Sequence, residues 1–186
     1  MIVIISSSPN TDGLTAACVT AALRGCAEAG MESRHLDLCK LKIKRCQQCD
    51  NGWGQCRTEH KCVLEDDLLT LQDAIGKASG VIIVTPVYYG DLSESAKCAF
   101  DRLRRCESTK GEESALKGLP VIAVAAAGGS GGGISSCLTQ MERYTQHMRG
   151  QTADLIGITR RNRPYTLDHI RAAALALASE VTITVG

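Results

Sequence analysis

The chain has 186 residues, 44% of them hydrophobic and 22% charged, which suits one domain (1–186) with a real core and excludes a disordered polar chain. Its net charge of +1 gives no electrostatic ground for nucleic acid or an anionic membrane as partner. No stretch approaches the roughly 20 apolar residues of a membrane span, and MIVIISSS has no basic run before its apolar residues, so a cytoplasmic protein is expected.

In chain order, MIVIIS (1–6) is a continuous β-branched run that predicts a buried parallel strand. A polar turn, SSPNTDG, leads into a helix over LTAACVTAALRGCAEAG, stopped at Gly30. SRHLDL predicts a second strand, and a cysteine-rich segment runs from about Lys40 to Val63. DDLLTLQDAIGKASG predicts a helix with acids at its N-terminus, and VIIVTP a third buried strand. YYGDLSESAKCAFDRLRR is a loop entering a helix, PVIAVAAA a fourth strand and GGSGGG a loop. ISSCLTQMERYTQHMRG is a helix, ADLIGIT a fifth strand and LDHIRAAALALASEV a last helix. This βα alternation predicts an α/β fold with a parallel sheet between helical layers, in the flavodoxin-like order 2-1-3-4-5.

In such sheets ligands bind outside the carboxyl ends of the strands, so the loops after strands one, three and four should converge. The first, SSSPNTDGLT, is rich in hydroxyls, lacks Lys and Arg, and opens a helix whose free N–H groups favour a phosphate. A plain helix-capping turn is the competing reading. The second, TPVYYGDLS, sets Tyr88 and Tyr89 at a strand end in a chain poor in aromatics, a surface for a planar ligand. The competing reading packs one tyrosine under the loop and places the other at an oligomer interface. The third, AAAGGSGGG, offers backbone amides without bulky side chains, although a glycine run alone specifies little. Phosphate, planar ring and backbone amides together describe a flavin mononucleotide (FMN) site.

These residues resemble the NADPH-dependent FMN reductase family of flavodoxin-like proteins, including its iron–sulfur flavoproteins. The likeness rests on SSPNTDGLT (7–15), TPVYYG (85–90), FDR (100–102), AAGGSGGG (126–133), and Cys46, Cys49 and Cys62 followed by Asp66–Asp67. It implies that Ser8, Asn10 and Thr15 lie at the FMN phosphate. It places Pro86, Val87, Tyr88 and Gly90 beside the flavin, and Gly128 and Gly129 near its ring. The chain departs from the family at Asn10, where an Arg is usual, and at Leu14, where an Asn is usual. The implied activity is an oxidoreductase accepting electrons from NAD(P)H and passing them to a small-molecule or protein acceptor, in a homodimer or homotetramer. A non-catalytic flavodoxin-like carrier, or a flavin-free metal-binding or regulatory module, are the rival functions. His35, His60, His147 and His169 are scattered and read as surface or packing residues, and RRNR (160–163) as a solvated basic loop.

Ten cysteines in a reducing compartment do not read as a disulfide framework. Cys18, Cys26, Cys98, Cys106 and Cys137 fall in helices as small buried hydrophobes. Cys46, Cys49, Cys56 and Cys62, spaced C-x2-C-x6-C-x5-C, supply the four thiolates that a 4Fe–4S cluster or zinc needs. Free or reversibly paired thiols are the alternative. The inserted DNGWGQ is longer than the compact iron–sulfur spacing, and its Trp53 packs over the flavin, at a subunit interface, or as the anchor of its own loop.

Overall fold

A computed structural model describes residues 1–185, with side chains through Glu180. Five parallel strands, β1 (Ile2–Ser6), β2 (Ser33–Asp37), β3 (Gly80–Pro86), β4 (Pro120–Ala127) and β5 (Gln151–Thr159), form one sheet in the order β2-β1-β3-β4-β5. The helices are α1 (Leu14–Glu28), α2 (Cys49–Gly52, a single turn in which Asp50 and Asn51 are not α-helical), α3 (Gln55–Thr58), α4 (Leu68–Gly76), α5 (Glu94–Glu107), α6 (Ile134–His147) and α7 (Arg163–Val185). The architecture is flavodoxin-like, as the βα alternation predicts.

Both sheet faces are covered, which is why the central strands are apolar at every position rather than at alternate ones. Val3, Ile5, Val81, Ile83 and Val121 pack with Leu71, Ile75, Phe100, Leu103 and Met141 of α4, α5 and α6. Ile2, Ile4, Ile82, Val84 and Val124 pack with Cys18, Ala22, Cys26, Ile170 and Ala174 of α1 and α7. Helices α1 and α7 meet closely at Gly25, where a Cβ would collide with the Arg171 carbonyl oxygen.

The boundaries differ from expectation in three places. Helix α7 begins at Arg163, not Leu167, because Pro164 suits a first turn that needs no N–H donor there. Helix α4 ends at Gly76, and Gly80 opens β3 instead of closing the helix. Cys98 is only partly buried, whereas Cys18, Cys26, Cys106 and Cys137 are buried. Burial pushes the thiols of Cys18, Cys106 and Cys137 up to about 12, as expected for neutral packing residues. The apolar end EVTITVG lies, beyond Glu180, outside the residues with described side chains.

Candidate functional site

The loops after β1, β3 and β4 meet at the carboxyl edge of the sheet. Ser7 Oγ donates to Thr85 Oγ1 at 2.9 Å. Ser93 Oγ and Ser95 Oγ donate to the Ser7 carbonyl at 2.9 and 3.2 Å. Ser93 also caps α5, accepting from the Ala96 amide. This buried hydroxyl network fixes the first loop against the second. The second and third loops touch through glycines: Ser136 Oγ donates to the Gly90 carbonyl at 2.7 Å, and Gly133, at φ +81°, lies against Gly90. That positive φ and that close approach together require glycine at 133.

In the first loop, Ser8 Oγ accepts from the Asn10 amide at 3.2 Å and Asn10 Oδ1 from the Asp12 amide at 3.3 Å. The Asn10 side chain folds over Gly13, the residue that caps α1. Thr15 is buried in the first turn of α1. Ser8, Asn10 and Thr15 line one cleft with His35, Asp37 and Lys40 of the β2 end. His35 Nε2 lies 2.8 Å from Ser6 Oγ, and burial lowers its imidazole below the ordinary value.

Tyr88 and Asp91 exchange backbone hydrogen bonds at 2.9 and 3.0 Å. The intervening Tyr89 and Gly90 have φ of +51° and +83°, the pattern of a type I′ turn. The turn thrusts Tyr89 fully into solvent, while Tyr88 is about half-exposed at 43%. Val87 is tied to β4 by its amide, which donates to the Ala126 carbonyl at 2.9 Å. A Cβ on Gly128 or Gly129 would meet nothing within 4 Å, so this stretch presents open backbone.

Cys46, Cys49, Cys56 and Cys62 line a single cavity with Gly52, Gly54, Arg102 and Arg105. The backbone around it is strained: Gln48, Asp50, Asn51 and His60 all have φ between +40° and +58°, conformations that cost L-residues energy. Gly54 presses on Cys49, since a Cβ there would fall 2.9 Å from the Cys49 Cβ. Arg105 lies at 4.8 Å and Arg57 at 5.9 Å from the Trp53 ring centroid, contacts that tie this ring to α3 and α5. Arg105 Nη1 also donates to the Gly52 carbonyl. Among the described residues no three His, Cys, Asp or Glu side chains are drawn together into metal-holding positions. The donor set is nonetheless four thiols on one cavity, the chemistry that an iron–sulfur cluster or zinc takes.

Residues 1–156 match the family model described as NADPH-dependent FMN reductase. The chain belongs to that family. It is similar to an iron–sulfur flavoprotein of Methanocaldococcus jannaschii, 34% identical over 54% of this chain and 50% of that one. It is also similar to the iron–sulfur flavoprotein of Methanosarcina thermophila, 28% identical over 78% of this chain and 72% of that one. The chain spans about half the length of the first relatives it matches, 50% and 51%. Among solved structures, an NAD(P)H:quinone oxidoreductase from Methanothermobacter marburgensis superposes with a TM-score of 0.69 at 16% identity, covering 95% and 94% of the two chains. An archaeal flavodoxin gives 0.65 at 13% identity over 98% and 99%. At those identities the likeness is one of fold.

Two of the motifs that carry the sequence resemblance stand apart in the chain but are one contact in space. Arg102 of FDR pairs with Asp66 of the D-D step, Nη1 to Oδ2 at 2.6 Å, both side chains nearly fully buried. Asp66 Oδ2 also accepts from the Lys44 amide at 2.9 Å, and Asp67 Oδ2 from the Lys42 amide at 2.7 Å. The acids thus clamp the chain entering the cysteine segment. Burial pulls the Asp66 carboxyl up, but the Arg102 hydrogen bond and the Lys44 and Leu68 amides outweigh it and hold it below the usual range. The sequence does not reveal this pair, nor the link of the loop hydroxyl Ser7 to Thr85 and Ser93, nor Arg105. The signal available was that FDR and D-D accompany the cysteines. Among the remaining expectations, Arg160 and Arg161 are exposed, as a solvated loop requires. His60 and His169 bond to Thr109 and Asp154 as packing or surface groups.

Proposed function

We propose that this chain is an FMN-dependent oxidoreductase that takes electrons from NAD(P)H and passes them to a small-molecule or protein acceptor. The observation that carries the reading is the junction of the three edge loops, Ser7–Thr85–Ser93 on one side and Gly90–Gly133 on the other, inside the family-matched stretch. Bound FMN supplies hydride acceptance at its N5 and the release of electrons singly or in pairs. The chain's own groups bind and orient it. The α1 N-terminus with Ser8, Asn10 and Thr15 receives the phosphate through hydroxyls, amide and helix dipole. Pro86, Val87, Tyr88, Tyr89 and Gly90 flank the ring on one side, Tyr88 offering its half-exposed face. Gly128 and Gly129 offer backbone N–H groups to the ring's heteroatoms without side chains in the way.

Cys46, Cys49, Cys56 and Cys62 are the residues that would hold a 4Fe–4S cluster, whose chemistry is one-electron transfer. The strain in their loop supports this, since ligand bonds would offset a backbone cost of this kind. A homodimer or homotetramer, with the exposed Tyr89 edge facing a second copy, is part of the same reading.

The test is anaerobic purification followed by FMN titration and NADPH reduction in a stopped-flow instrument. A yellow protein whose flavin is bleached by NADPH supports the reading. Colourless protein that takes up no FMN overturns it. Bleaching by reduced ferredoxin but not by NADPH or NADH assigns it to a carrier instead.

A further inference from the structure

Arg102 is 1% exposed and stands on the α5 face turned toward the cysteine segment. Its fork is committed on one side: Nη1 donates to Asp66 Oδ2 at 2.6 Å and to the Lys44 carbonyl at 2.9 Å. Nη2 donates to the Leu64 carbonyl at 3.4 Å. Its Nε, by contrast, is buried and has no hydrogen-bond partner, one of two such side-chain atoms among the described residues. Buried donors are rarely left so, because desolvation is then uncompensated. The same side chain lines the cavity of Cys46, Cys49, Cys56 and Cys62, and the Cys62 thiol adjoins the guanidinium.

We propose that Arg102 is a positioning residue for the cysteine site, its Nε–H reserved for sulfur at Cys62 and its charge for the thiolate set. The proposal rests on the iron–sulfur reading above and goes beyond it by assigning a residue that is not a ligand. The physical grounds are direct. Four thiolates place several negative charges around one cavity, and a buried guanidinium offsets them. Hydrogen bonds to cluster sulfur stabilise the more negative, reduced state and so raise the reduction potential. Asp66 is the counterpart that fixes the fork, leaving Nε as the guanidinium nitrogen without a partner. A lysine at 102 keeps the charge and can keep Asp66 paired, but it has no second donor in a rigid plane.

The experiment uses the full chain reconstituted anaerobically with iron and sulfide, in wild-type and Arg102→Lys forms. EPR-monitored redox titration reads the cluster, and visible absorbance reads the flavin. The expected result is a lower cluster potential in Arg102→Lys with the flavin potential unchanged. Pulsed EPR on wild-type protein grown with Nε-nitrogen-15 arginine is expected to report a hyperfine coupling to the reduced cluster. That coupling should be lost in Arg102→Lys and kept in Arg105→Lys. If Arg102→Lys does not fold, the wild-type coupling together with the Arg105→Lys control decides. An unchanged cluster potential, or no arginine coupling in wild-type protein that holds its cluster, overturns the role of Arg102 and leaves the iron–sulfur reading standing. Wild-type protein that takes up no iron overturns the iron–sulfur reading, and this inference with it.

Discussion

Gly133 stands so close to Gly90 that a Cβ on Gly133 would lie 2.6 Å from the Gly90 Cα and 3.0 Å from its amide nitrogen. Backbone atoms of two separate loops therefore touch, and neither yields as the end of a long side chain does. Gly133→Ala adds this clash to a positive φ that costs an L-residue about 1–2 kcal/mol. The loops then spend less time joined, and a tenfold loss of FMN affinity follows from about 1.4 kcal/mol. Titration of FMN by flavin quenching should show at least that loss, with the circular dichroism of the sheet unchanged.

Ser93 joins the first two loops and caps α5 in a single side chain. Ser93→Ala should cost about 1–2 kcal/mol, as lost caps do, and lower Tm by several degrees. It should also weaken FMN binding, because the Ser7 carbonyl loses one of its two hydroxyl donors. A variant with wild-type Tm would show that the network contributes nothing to stability.

The two adjacent tyrosines should separate by experiment. Tyr89 occupies a left-handed turn position that Asn or Gly adopts more readily, so Tyr89→Asn should raise Tm by about 2–4 °C. Tyr88→Ala should weaken FMN binding about 2–10-fold, the worth of an aromatic stacking contact, and leave Tm nearly unchanged. Thermal melts and FMN titrations on both variants check this pair of outcomes.

The contrast between these sites explains what was legible in the sequence. MIVIIS, VIIVTP and PVIAVAAA are apolar without alternation, and only a sheet covered on both faces needs that, so the topology could be read directly. The meeting of the three edge loops was legible because their chemistry is local: hydroxyls, tyrosines and glycines sit within a few residues of one another, at strand ends that the topology brings to one edge. The pairing of Asp66 with Arg102 was not, because 36 residues separate them and neither periodicity nor spacing encodes a contact across that distance. Cys98 was misjudged for a related reason: helical composition alone does not say which face of α5 meets the sheet.

Asp66→Asn should be severe. It leaves a buried guanidinium without its counter-charge, a loss of about 3–5 kcal/mol for pairs of this kind. The acid limb follows by linkage. The Asp66 carboxyl is held below its ordinary value of 3.8, so the pair's contribution is complete above that pH. It is lost as pH falls further, through the depressed folded-state value. Urea midpoints measured from about pH 7 down to about pH 3 should show wild-type and Asp66→Asn converging only at the acid end.

Cys56 and Cys106 lie near one another but differ in kind. Cys56 lines the cavity; Cys106 is buried in α5, its thiol pushed up to about 12 first by burial and then by Cys62 and Cys56. Cys56→Ala should abolish iron uptake on reconstitution, whereas Cys106→Ala should retain it at a modest cost in Tm. Equal iron content in both variants would remove Cys56 from the ligand set.

The single tryptophan of the chain, held against Arg105 and Arg57 within the cysteine segment, gives this protein a built-in optical reporter. Excited at the red edge, where tyrosine does not absorb, its fluorescence comes from one ring between Cys49 and Cys56. Changes in emission therefore follow that segment, while absorbance would follow a bound flavin, and the cysteine segment and the sheet edge can be watched separately in one cuvette.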